Sequence, residues 1–297
     1  MMNQSKVVGA DKVGSGVPLA LLMVFLSIVS VQFGSSLAKM VIQTLGPAGT
    51  MAMRLLVGCV VLVIAFKPWR IRKDQLFRKS LLFYGIAMGG MNLSFYEAIQ
   101  DLPIGIAVAI EFTGPLLVAI CSSRRVLDFA WILLACVGLY LLLPIHDASV
   151  AQLSWRGIGF ALLAGMGWAL YIVCGRVTGG RIGTQGVAVG MVISCLIYCP
   201  FGFSALPWSQ FSLPVLWLCL GIGVMSTAIP YSLEIIAMPR LPQRTFGVLM
   251  SLEPAFGALA GLVMLHETLG WMEWGALLAI MLASAGTTLS ARQTPVS

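Results

Sequence analysis

The chain has 297 residues, of which 59% are hydrophobic and only 10% charged, with a formal net charge of +7. A soluble domain carries about 25% charged residues, so that class is excluded and an all-α membrane protein is indicated. The positive charge does not point to nucleic acid, because the basic residues fall in short segments between apolar runs rather than on one continuous face.

The first apolar run, 18–38, follows a polar leader, residues 1–17, that carries Lys6 and Lys12. A secretory signal has an apolar region of about 7–15 residues, so this longer run reads as a first transmembrane helix. Further runs long enough for a bilayer lie at 47–66, 80–100, 103–123, 128–145, 155–175, 184–206, 213–236, 244–265 and 269–290, which predicts ten helices. Seven cysteines are scattered through these runs without a C-x-x-C pair and read as small buried hydrophobes. No metal site and no cofactor is expected.

Basic loops are retained on the cytoplasmic side of a membrane. The segment KPWRIRKDQLFRK, with Lys67, Arg70, Arg72, Lys73, Arg78 and Lys79, marks that side, and Arg124, Arg125, Arg176, Arg181, Arg240, Arg244 and Arg292 fall with it. Lys39 and Arg156 fall opposite. Both termini, including the tail 291–297, are therefore predicted to be cytoplasmic.

An internal repeat is visible at an offset of about 139 residues, which sets Leu102-Pro103 on Leu241-Pro242, Pro115 on Pro254 and Asp128 on Glu267. The repeat unit is five helices, 18–145 and 155–290. An odd number inverts the second copy, so the predicted architecture is two inverted five-helix repeats, a plan of many secondary transporters.

The stretches SLAKM, MRLLVG, FKPWR, LLFYGIAMGGMNLSFY, GIAVAIEFTGPLLVAICSSRRVLDF and STAIPYSLEIIAMPRLPQRTFGVLMSLEPAFGALAG resemble the drug/metabolite transporter (EamA-type) superfamily, in its threonine/homoserine-exporting branch. The resemblance runs from about Pro18 to Leu289. It implies a bacterial inner-membrane carrier that exports threonine, homoserine and related small amino acids by proton antiport. The implied partners are the amino-acid substrate, protons and the lipid bilayer, with a homodimer open and no nucleic acid. Glu97, where the pattern has an apolar residue, and His266, where it has glycine, depart from it.

A carrier of a zwitterion must offer a cation to the carboxylate and an anion, dipoles or an aromatic face to the ammonium. The acids singled out within the predicted spans are Glu97, Glu111, Glu234 and Glu253, and the base singled out is Arg54. At a rise of about 1.5 Å per residue Glu111 lies roughly 12 Å deep, and Arg54 at almost the same depth. They read either as a paired, substrate-bridging set or as a structural ion pair. Pro115 frees a backbone carbonyl near Glu111.

Glu253 corresponds in the second repeat to Glu111, so both are candidates for proton coupling, against the simpler reading of a neutral, hydrogen-bonded carboxyl. Asn92, Tyr96 and Tyr231 are candidate partners for a substrate hydroxyl, or satisfy neighbouring helices. Glu234 is expected in a salt bridge with Arg240 or Arg244, Glu97 at the wet outer surface, and Lys39 at the end of the first helix, snorkelling. Gly85 with Gly89, and Gly257 with Gly261, are small pairs for close helix packing, and Trp168 with Tyr171 a candidate aromatic wall. An intramembrane enzyme lacks its motifs, since H-E-x-x-H and G-x-S-x-G are absent from the sequence and both histidines fall in predicted outer loops. A scaffold has little use for mid-membrane acids, and an exporter of other metabolites or drugs would share the fold.

Overall fold

Proline and glycine punctuate a series of apolar helices. The computed structural model describes residues 17–71, 79–121, 126–142, 154–237, 240–241, 246 and 249–290. The leader through residue 16, the basic segment 72–78, Arg124, Arg125, Arg244 and the tail 291–297 lie outside the described residues, as do the side chains of Asp128, Arg176 and Arg181.

α1 (Val17–Phe66) folds into two arms, 17–45 and 47–66, at Gly46, whose φ of 72° and ψ of 163° suit glycine alone. Pro47 opens the second arm, where its missing N–H is no loss. The first arm therefore outruns its predicted end at residue 38, and Lys39 lies inside the helix rather than closing it. A 3-10 turn (Pro68–Arg70) and α2 (Lys79–Asp101) follow. The predicted fourth run is divided at Phe112 into α3 (Ile104–Glu111) and α4 (Thr113–Cys121). Pro115 accounts for the division, because it has no N–H to offer the carbonyl of Glu111.

α5 (Val126–Leu142) and α6 (Trp155–Ile182) come next, and α6 outlasts its predicted end at 175. Gly183, with φ of 65°, turns the chain into α7 (Thr184–Ser204). The eighth run is α8 (Leu213–Gly223), a π-helical turn (Val224–Ala228) and α9 (Ile229–Ala237). Pro230 sits just past that turn and cannot donate to the carbonyl of Ser226, one turn back, so the ladder widens there. α10 (Glu253–Leu265) begins after a turn at Ser251–Leu252, with Pro254 depriving Met250 of a donor as Pro115 does Glu111. α11 (Trp271–Ser290) closes the described chain.

Among the described residues four helical stretches are long and apolar enough to cross a membrane: Val17–Phe66, Trp155–Gly175, Thr184–Ser204 and Leu213–Ala237. Large apolar side chains such as Ile64, Leu133, Leu196 and Trp217 face outward, as expected where hydrocarbon is the solvent. Inside, α2 packs along α6 and α7, α1 clasps α8, the π-helical turn and α9, α3 pairs with α10, and α5 with α11.

Small residues set these approaches. Gly58 sits on Thr227, Gly85 on Ile193, Gly89 on Tyr198 and Gly261 on Glu267. A Cβ on Gly105 would stand 2.7 Å from Ala258 Cα, a backbone atom that cannot swing aside. Gly105→Val is therefore expected to force α3 from α10 at a cost of about 1–3 kcal/mol or more. The measurement is the monodisperse fraction after detergent extraction, and a parental yield would contradict this packing.

Candidate functional site

Pro230 has no N–H for the carbonyl of Ser226, one turn back in the π-helical turn, and in the centre of the bundle a cation takes that carbonyl. Arg54, on the second arm of α1 and 5% exposed, donates from Nε to Thr227 Oγ1 at 2.8 Å and from Nη2 to the carbonyl of Ser226 at 2.6 Å. That carbonyl is the one Pro230 cannot serve. From the first arm, Ser30 Oγ donates to the adjacent Met225 carbonyl at 2.6 Å. The guanidinium also lies over the Tyr96 ring, 5.4 Å from its centroid, which supplies a favourable cation–π contact. Its Nη1 hydrogens remain for another acceptor.

Glu111 closes α3, 7% exposed, within electrostatic reach of Arg54. Among the described residues the two form no ion pair: Arg54 is engaged on the turn, and Glu111 makes no hydrogen bond. Of the two readings the sequence left open, the direct structural pair is not formed in this structure. Glu253 heads α10, where the helix dipole favours a carboxylate, and Glu234 and Glu111 are the charges that act on it. Glu234 departs from expectation. It accepts a hydrogen bond from Ser27 Oγ at 2.5 Å, while Arg240 turns to the carbonyl of Ile236. Arg244 lies outside the described residues.

Aromatic and amide groups fill the space around these charges. Tyr96 is fully buried, and among the described residues its hydroxyl has no hydrogen-bond partner. Asn92, one turn before it on α2, donates to the Met88 carbonyl at 2.7 Å and lies beside Tyr231. Tyr84 stacks on Tyr171 with centroids 4.8 Å apart, and Trp168 meets Phe112 edge-on at 5.2 Å, directly after Glu111. Trp168 and Tyr171 of α6 thus pack against rings of neighbouring helices. All the candidate residues, Arg54, Asn92, Tyr96, Glu111, Tyr231 and Glu253, come from helices that converge on the π-helical turn or on the α3–α10 pair. Gln32, Ser226 and Thr227 join them and were not singled out from sequence. The signal available was an amide in the first apolar run and a Ser-Thr pair shortly before Pro230.

Other charged groups are accounted for elsewhere. Lys39 is not snorkelling: it pairs with Glu267 at 2.6 Å and donates to the carbonyl of Leu102, and Glu267 accepts from Ile104 N at 2.9 Å. Glu97 is not merely wet, since it shares Arg156 with Asp101, the latter at 2.9 Å. His266 stands at the C-terminal end of α10 with φ of 56°, a left-handed position that glycine fills most easily, which explains why glycine suits the site. Among the described residues no group of histidine, cysteine and carboxylate side chains is placed to hold a metal ion.

A cation with free donors, several acids and stacked aromatics inside an apolar bundle suit a carrier of small polar solutes, and comparison with known proteins agrees. The chain matches the EamA-like transporter family over residues 18–143 and 155–289. The threonine/homoserine exporter RhtA of Salmonella typhimurium strain LT2 is 47% identical over 277 residues, 93% of this chain and 94% of that protein. The protein of the same name from Escherichia coli strain K12 is 46% identical over 276 residues, 93% of this chain and 92% of its own. A crystal structure that is 22% identical superposes with a TM-score of 0.66 over 94% of this chain and 100% of that one, a likeness of fold. The two curated relatives are named as exporters and not as enzymes. With both matched segments together spanning most of its length, this chain belongs to the EamA-like transporter family.

Proposed function

We propose that the chain exports threonine, homoserine and related small amino acids from the cytoplasm across the bacterial inner membrane, in exchange for protons. The observation that carries this reading is the near-half identity to threonine/homoserine exporters along 93% of the chain. In this reading the chain forms ten spans in two inverted five-helix repeats, 18–145 and 155–290, with a cytoplasmic leader and tail. Three features support the repeat: the two matched segments, the breaks at Phe112 and at Ser251–Leu252, and the positive-φ glycines Gly46 and Gly183, each followed by the second helix of its half.

The site residues take roles from their chemistry. The substrate carboxylate binds the unused Nη1 hydrogens of Arg54, already oriented by Thr227 and Ser226. Glu111 takes the ammonium, and Tyr96, Asn92 and Tyr231 meet the side-chain hydroxyl that threonine and homoserine share. An exchange cycle needs groups that release a proton when substrate enters and recover it afterwards; Glu253 and Glu111 are assigned to that task.

Counterflow of radiolabelled threonine in proteoliposomes, with a panel of competing amino acids, tests the substrate. Threonine and homoserine are expected to compete best, and failure of both to compete would contradict the reading. Topology is tested by labelling engineered cysteines with an impermeant reagent in intact cells. Reaction at Asp147→Cys and none at Gln75→Cys is expected, and the reverse would contradict the cytoplasmic termini.

A further inference from the structure

Gln32 is a buried polar side chain that the proposed site leaves idle. It lies on the first arm of α1, 2% exposed, and among the described residues its Oε1 has no hydrogen-bond donor. The atom points to where α3 and α10 touch: a Cβ on Gly257 would stand 3.2 Å from it, and 3.4 Å from both Gly105 Cα and Val108 Cγ2. About two turns further along the same face of α1 is Lys39, bound to Glu267 and to the carbonyl of Leu102. Glu267 in turn holds the N–H of Ile104 at the start of α3. Glu111 and Glu253 stand at the opposite ends of α3 and α10. The seam of α1 against α3 and α10 therefore has acids at one end, an unpaired amide oxygen along its length and an ion pair across the other end.

A buried acceptor without a donor is unfavourable, and in a permanently closed seam a leucine would serve better. The oxygen has a use if the seam opens. We propose that this seam is the substrate's outward exit, that Lys39–Glu267 is its latch, and that Gln32 Oε1 accepts a hydrogen bond from the departing ammonium group. An ammonium offers donors only, which suits an amide oxygen. The inference rests on the export reading for the direction of travel and the nature of the solute.

Two measurements on the full chain test it. In intact cells, Gln32→Cys is exposed to an impermeant methanethiosulfonate reagent and labelling is read at that residue by mass spectrometry, which needs no knowledge of the substrate. Adding Glu267→Gln, which keeps an acceptor for Ile104 but removes the charge, is expected to raise labelling about tenfold, with Lys39→Met as the second variant expected to do the same. Unchanged labelling in both overturns the latch and the exit. In proteoliposomes, Gln32→Leu is expected to fold as well as the parent yet raise half-saturating threonine about tenfold, the scale of one hydrogen bond to a charged group. Parental affinity in that variant overturns the substrate contact. Absence of threonine counterflow in the parent would instead sink the substrate reading, while the labelling still decides the seam.

Discussion

Arg54→Gln is expected to lower threonine and homoserine counterflow about a hundredfold or more, the scale of losing a charge-assisted contact to a carboxylate in a buried site. The effect has two parts. The substrate loses its cation, and the turn loses the donor that serves the Ser226 carbonyl, which Pro230 cannot replace. An unpaired buried carbonyl costs about 1–3 kcal/mol, so some loss of stability is expected as well. Arg54→Lys separates the two, because lysine keeps the charge but has no planar fork to span Thr227 and Ser226 while facing a substrate. It is expected to insert normally and still lose most of the counterflow. Initial rates, read beside the gel-filtration profile, check both variants. A rate for Arg54→Gln close to the parent's would remove Arg54 from the substrate site.

Glu111→Gln and Glu253→Gln are expected to fail in different ways. Because Glu111 forms no ion pair with Arg54, replacing it with an amide of the same shape leaves no newly stranded charge. The variant is therefore expected to be at least as stable as the parent, yet to lose counterflow and gradient-driven export together, by about a hundredfold, since both need the ammonium to be held. Glu253→Gln cannot take up or release a proton, so gradient-driven export is expected to fall about tenfold or more while counterflow falls far less. Measuring counterflow and pH-driven flux on the same vesicles distinguishes them. Equal losses in both fluxes for Glu253→Gln would return Glu253 to a structural role, and parental flux for Glu111→Gln would remove it from the site.

Much of the fold was legible because bilayer length and apolar composition leave few alternatives to a helix. The interruption beside Glu111 was also legible in part, since Pro115 must leave a carbonyl unserved one turn back. The partners of the polar groups were not. Arg54 finds Thr227 across 173 residues, Ser27 finds Glu234 across 207 and Lys39 finds Glu267 across 228, and no local pattern encodes such meetings. Depth alone suggested that Arg54 would face Glu111, whereas the carbonyl freed by Pro230 competes for it. Proximity in sequence suggested Arg240 for Glu234, but a helix places its side chains on faces, and Arg240 turns back to the carbonyl of Ile236. The π-helical turn itself has a proline nearby as its only sequence mark.

The most direct test of proton-coupled amino-acid export is threonine movement driven by a pH gradient alone, in proteoliposomes with radiolabelled threonine at equal concentration on both sides. Acidifying one compartment is expected to accumulate threonine in the acidic compartment above equilibrium, with protons moving out against it. The accumulation should collapse when a protonophore dissipates the gradient, and it should be weak in Glu253→Gln. Threonine that equilibrates but never accumulates, in the parent chain with a verified gradient, would contradict coupling by Glu111 and Glu253.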